Sequence, residues 1–141
     1  MAANDKQVGG AHYKTRAIAP WDFISINCIS YLCGNAIKYL VRWRDKGGIA
    51  DLEKAKHYLE KAIEIFNTYR FPFLYRLGLL FRKQRISVDE FLIANKIVGH
   101  EELAIRRIVY WDLKGDLENL NIAIRHIELT IEVEKCRNTK K

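Results

Sequence analysis

Slid against itself by 68 residues, the chain matches its own sequence without a gap over 42 positions. FISINCISYLCGNAIKYLVRWRDKGGIADLEKAKHYLEKAIE, residues 23–64, lies over FLIANKIVGHEELAIRRIVYWDLKGDLENLNIAIRHIELTIE, residues 91–132, with 14 identities. The shared positions are mostly apolar: Phe23/Phe91, Ile29/Ile97, Ile37/Ile105, Val41/Val109, Trp43/Trp111 and Leu52/Leu120. Asn27/Asn95 and the turn glycine Gly47/Gly115 are shared too. Residues retained in both copies at helical spacing read as scaffold. The expected fold is therefore all-α: a helical bundle of two pseudo-repeated helical hairpins, about 20–68 and 88–136, with an N-terminal loop arm. Two copies fall short of a solenoid. At 141 residues the chain is expected to form a single domain over 1–141, with 87–136 as a diverged structural repeat.

Local signals agree with helices. Pro20 suits the first turn of a helix running through Trp21. Gly34 and Asn35 are expected to interrupt that helix or join it to the next. The next helix is expected to reach Gly47 and Gly48, and Asp51 to open another. Ser87 followed by Glu90 has the form of a capping box. Further helices are expected over about 101–112 and 116–135, with a new segment from Pro72 to about Lys83. The apolar and aromatic run FPFLYRLGLLF is expected to be buried in the bundle or between subunits, which points to a homo-oligomer.

The 24 Lys and Arg outnumber 17 Asp and Glu, for a net charge of +7. That balance suggests anionic partners without choosing among nucleotides, nucleic acid and phosphorylated surfaces. No apolar stretch approaches the roughly 20 residues of a membrane span, so no membrane partner is expected. Cys28, Cys33 and Cys136 have no metal-like spacing and read as reduced thiols, Cys28 and Cys33 as small core residues. No export signal is evident, and the expected location is the cytoplasm. The four histidines lack ligand spacing, so no metal site is expected.

What the copies do not share is polar. At 100° per residue, Asn35, Lys38, Tyr39, Arg42 and Lys46 form one stripe. Its counterpart is Leu103, Arg106, Arg107, Tyr110 and Lys114. On the following helix Asp51, Lys54 and Tyr58 are replaced by Asn119, Ile122 and His126. A solvated face would also diverge in this way. The set is nevertheless chemically coherent. Lys38, Arg42 and Lys46 can neutralise phosphate oxygens. Asn35 can donate and accept, and Tyr39 or Tyr58 could stack on a base. Asp51 could orient Lys54 or Arg42, hold a metal through water, accept a hydroxyl proton, or simply cap its own helix. In the arm VGGAHYK, Gly9 and Gly10 permit close backbone approach to an anion, His12 could bond a phosphate, and Lys14 adds charge. Alternatively Tyr13 packs the arm on the bundle.

GGAHYK, PWDFI, GNAIKYLVRWRDKGG and DLEKAKHYLEKAIE together resemble a family of small phage- and prophage-encoded proteins described as nucleotide kinase-like or of unknown function. The similarity spans about residues 8–66. One member of that family is a deoxynucleoside monophosphate kinase that lacks the usual phosphate loop, and this chain has no such loop either. The motif falls on Gly9, Gly10, His12, Tyr13, Pro20, Gly34, Asn35, Lys38, Tyr39, Arg42, Lys46, Asp51, Leu52, Lys54, Ala55 and Tyr58. The resemblance implies a nucleotide-binding half at 8–66 and a kinase-like enzyme acting on a deoxynucleoside monophosphate in the host-cell cytoplasm. Arg42, Lys38 and Asp51 would be its catalytic groups. Gly9, Gly10, His12, Tyr13, Lys14, Asn35, Tyr39, Lys46, Lys54 and Tyr58 would be ligand-binding. Mg²⁺ and a nucleoside triphosphate donor would take part, with no tightly bound cofactor. The alternative is a non-catalytic sponge that sequesters a nucleotide or a nucleotide-derived immune signal. Nucleic-acid binding is less favoured, because no helix-turn-helix or aromatic-rich RNA sheet is evident.

Overall fold

The computed structural model describes residues 16–69 and 84–140, and these form helices without strands. They are α1 (Pro20–Ile26), α2 (Tyr31–Arg42), α3 (Ile49–Tyr69), α4 (Val88–Ala94), α5 (His100–Lys114) and α6 (Glu118–Asn138). The fold is an all-α helical bundle. Helices α2 and α3 pack as one hairpin and α5 and α6 as another; α3 lies on α6, and α2 touches α5. The short helices α1 and α4 lie against α2 and α5. Phe23, Ile37, Leu52, Leu59, Ile105, Ile108, Leu120 and Ile127 are fully buried in one continuous core. No described helix is long and apolar enough to cross a membrane.

Pro20 opens α1 as its first residue, where its missing N–H costs nothing. The Ser87 hydroxyl caps α4 by accepting the Glu90 amide at 3.0 Å. The α1–α2 break, however, falls at residues 27–30 rather than at Gly34 and Asn35, which lie inside α2. At the break the Ile29 amide donates to the Ile24 carbonyl and the Cys28 amide to Ser25. Cys28 occupies the left-handed region at φ 52°. This is a Schellman closure with cysteine where glycine is usual. The same closure ends α4, with Lys96 at φ 54°, Ile97 donating to Leu92 and Lys96 to Ile93. Cys28 is consequently exposed rather than part of the core, whereas Cys33 is buried as expected.

Gly34 serves a different purpose. A Cβ there would lie 2.7 Å from Ile24 Cγ2, so glycine is what lets α1 approach α2 closely.

Two amide clamps tie the first half of the chain to the second. The Asn27 amide oxygen accepts the backbone N–H groups of Arg85 and Ile86, and its nitrogen donates to the Ile86 carbonyl. Asn95 does the same to Ile18, accepting its N–H at 3.4 Å and donating to its carbonyl at 2.9 Å. Between the clamps Phe23 and Phe91 stack with centroids 4.1 Å apart. Other cross-links are not mirrored. Trp43 Nε1 donates to buried Glu101 at 3.0 Å, Arg44 pairs with the same carboxylate, and the Ser30 amide donates to Asp112.

Candidate functional site

The turn between α2 and α3 folds the helices into a hairpin that brings the two polar sets together. From α2 come Asn35, Lys38, Tyr39 and Arg42; from α3 come Asp51, Lys54 and Tyr58. Asp51 is the deepest member, with its side chain only 1% exposed. Its carboxylate lies against Gly47, in the space a Cβ would occupy. Any other residue at 47 would drive the carboxylate out. Arg42 turns one edge of its guanidinium to Asp51, with Nε to Oδ2 at 2.9 Å and Nη2 to Oδ1 at 3.4 Å. Lys54 approaches Oδ1 at 3.5 Å. Asp51 therefore orients two cations. This pairing fixes the direction of the Arg42 guanidinium.

Lys38 is held separately. Its ammonium donates to Asn35 Oδ1 at 2.7 Å, and the Asn35 nitrogen donates to the Tyr31 carbonyl one turn back. Burial lowers the Lys38 pKa, neighbouring Arg42 lowers it further, and Asp51 opposes both. A phosphate there would relieve the repulsion between the two cations.

All three cations surround one ring. Arg42, Lys38 and Lys54 lie 4.6, 4.8 and 5.5 Å from the centroid of Tyr39, within cation–π range. Tyr58 stacks on Tyr39 at 5.7 Å, and Tyr31 meets Tyr58 edge-on at 6.4 Å. Burial, then Tyr31 and Tyr39, raise the Tyr58 pKa.

Lys46 lies exposed in the turn after α2, not on a continued helix, so the helical stripe ends at Arg42. Gly9, Gly10, His12, Tyr13 and Lys14 fall outside the described residues, as does most of the 70–86 connector. Sequence reasoning missed Tyr31, although it precedes Asn35 by four residues and so shares its face. It also missed Gly47 as the residue that makes room for Asp51.

The equivalent face of the other hairpin is wired differently. Arg106 is paired with Glu102 at 3.0 Å and with Asp89. Arg107 donates to Asn119 at 3.2 Å, and Asn119 in turn is tied to Asp116. At the position that the 68-residue offset aligns with Tyr58, His126 faces His100 with Nδ1 atoms 3.1 Å apart. Burial, then His100 and Arg107, lower the His126 pKa from 6.5. The folded state thus favours neutral His126, and its contribution is complete above the unfolded pKa and lost as pH falls below it. Acidification from about pH 7.5 to about pH 5.5 should lower the thermal midpoint less in His126→Gln than in the natural protein. An equal drop would place the acid sensitivity elsewhere.

Among the described residues no group of three or more His, Cys, Asp or Glu side chains is placed to hold a metal ion. Asp51, with both oxygens engaged by Arg42 and Lys54, is arranged to orient cations. No curated protein and no solved structure matches the chain. One family model does match, over residues 8–60. That stretch contains every residue of the α2–α3 cluster and none of the second hairpin. The front part of the chain is thus similar to a family described as a protein of unknown function (DUF3310).

Proposed function

We propose that the α2–α3 face binds the phosphates of a nucleotide, and that the protein is a nucleoside monophosphate kinase-like phosphotransferase. The observation that carries this reading is the convergence of Lys38, Arg42 and Lys54 around the Tyr39 ring, with buried Asp51 as their common carboxylate. Phosphoryl transfer requires positioning and charge neutralisation more than covalent chemistry from the protein. An acceptor monophosphate oxygen would attack the γ-phosphorus of a nucleoside triphosphate. The bond to the bridging oxygen would break, and two nucleoside diphosphates would leave. Lys38, Arg42 and Lys54 would offset the charge on the transferring group and the departing diphosphate. Mg²⁺ would suit the triphosphate oxygens, with Asp51 kept for Arg42.

One observation favours a second reading, capture without turnover. Both Asp51 oxygens are engaged, so the carboxylate of the cluster is not left to hold a metal. The two readings separate in a single experiment. Purified protein is incubated with deoxynucleoside monophosphates, with and without a triphosphate donor, and products and bound species are identified by mass spectrometry. Donor-dependent diphosphate formation establishes the kinase. Stoichiometric recovery of unaltered ligand establishes the sponge. Neither product nor bound ligand would sink both.

A further inference from the structure

We propose that Glu101, which belongs to the second hairpin, is a positioning residue for the Arg42–Asp51 pair and through it for phosphate binding. This rests on the phosphate-binding reading above and adds to it the part played by the second half of the chain. Glu101 is the second residue of α5 and only 3% exposed. A carboxylate is rarely buried to that depth unless it is paired. Its Oε1 accepts the Trp43 indole N–H at 3.0 Å and pairs with Arg44. Both partners come from the turn that joins α2 to α3.

Trp43 is the C-cap residue of α2 and follows Arg42 directly. Glu101 holds its side chain, and the Gly48 amide donates to its carbonyl at 2.7 Å. Gly48 closes the turn at φ 53°, a conformation that glycine adopts without cost from a Cβ. The Gly48 carbonyl then accepts the Asp51 amide at 3.1 Å, and the Asp51 carboxylate takes the Arg42 Nε–H at 2.9 Å. The bonds run from Glu101 through Trp43 and Gly48 to Asp51, and return to Arg42, the residue before Trp43. One turn thus places both members of the pair, and Glu101 fixes that turn to α5.

The seat of Asp51 tolerates little movement. Its carboxylate fills the space that a Cβ on Gly47 would take, so a displaced turn drives Gly47 against it or away from it. A misplacement of about 1 Å is enough to impair a positioned group severely. Arg16 gives the turn a second hold, donating from Nη2 to the Val41 carbonyl at 2.9 Å and pairing with Asp45. Loss of Glu101 should therefore loosen the turn and not unfold it. Lys38 is anchored on Asn35 within α2, so its contribution to phosphate binding survives and the loss is partial.

The test is calorimetry on the full chain with inorganic tripolyphosphate, at a temperature where thermal melts show each variant folded. Glu101→Leu should weaken binding roughly 3- to 30-fold. Trp43→Phe removes only the indole N–H from the other end of the same bond and should weaken it likewise, which carries the test if the leucine variant does not fold. Glu101→Gln keeps an oxygen for Trp43 and should stay within about twofold of the natural protein. Asn27→Ala, which breaks the clamp to Ile86, should lower the thermal midpoint and leave affinity within about twofold, a split that a merely structural role for Glu101 would not give. Natural affinity in both Glu101→Leu and Trp43→Phe overturns the proposal. So does Glu101→Gln binding as weakly as Glu101→Leu, or Asn27→Ala losing as much affinity as either. Natural protein that does not bind tripolyphosphate overturns the phosphate reading itself, and the role of Glu101 with it.

Discussion

Neutralising Arg42 and Asp51 together should abolish tight nucleotide binding while the fold survives; neutralising Arg42 alone should damage both. In Arg42→Ala the Asp51 carboxylate, 1% exposed in the natural protein, keeps only Lys54, at 3.5 Å and half in solvent. Removing one partner of a buried pair costs about 3–5 kcal/mol, because the other charge is stranded. Arg42→Gln with Asp51→Asn replaces the pair by two amides of similar shape, and the stability cost should fall to about 1 kcal/mol. The ligand still loses a guanidinium, a loss worth roughly 2–4 kcal/mol where charge develops on phosphate, or about 30- to 1,000-fold in rate or affinity. Urea denaturation measures the first quantity and calorimetry or turnover the second. A stable double variant that binds and turns over nucleotide as the natural protein does would remove Arg42 from the ligand site and leave it a purely structural partner of Asp51.

The depth of Asp51 shows where the sequence stops being informative. Helical spacing placed Asn35, Lys38, Tyr39 and Arg42 on one stripe, and Asp51, Lys54 and Tyr58 on another. The short turn then faced the stripes towards each other. Period and turn length are local properties, so both could be read directly. Whether Asp51 would cap its helix, hold a metal or orient an arginine could not be read. That choice depends on Gly47, whose missing Cβ leaves space for the carboxylate only once the turn has closed. The α1–α2 boundary was misplaced for a similar reason. Glycine is the usual sign of a left-handed residue after a helix, and here Cys28 and Lys96 take that conformation. Gly34, the residue that looked like the break, is a helix-packing position. Lys46 left the stripe because the helix ends at Arg42.

Asn27→Ala should be the most destabilising single polar-to-alanine change away from the α2–α3 cluster. Asn27 is 7% exposed and its side-chain amide is paired like a peptide group in a sheet. Its oxygen accepts from Arg85 at 2.7 Å and from Ile86 at 3.1 Å, and its nitrogen donates to the Ile86 carbonyl at 2.9 Å. Alanine would leave two backbone donors and one acceptor without their partner at a partly buried junction. Each such group costs about 1–3 kcal/mol when water cannot replace the partner fully. With partial rehydration the sum should be about 3 kcal/mol, a fall of about 10 °C in the thermal midpoint for a chain of this size. Asn95→Ala should cost less, since Asn95 makes one bond fewer to Ile18 and one of its two is long, at 3.4 Å. Asn27→Asp separates hydrogen bonding from shape. Its oxygens could still accept from Arg85 and Ile86, but one would face the Ile86 carbonyl with no proton between them. The folded state then favours the protonated acid, so the deficit should shrink at acid pH and grow as pH rises through the carboxyl's folded pKa. Thermal melts of the three variants at two pH values decide the matter. An Asn27→Ala variant as stable as the natural protein would mean that the junction between the start of α4 and the end of α1 is held by Phe23 on Phe91, not by the amide clamp.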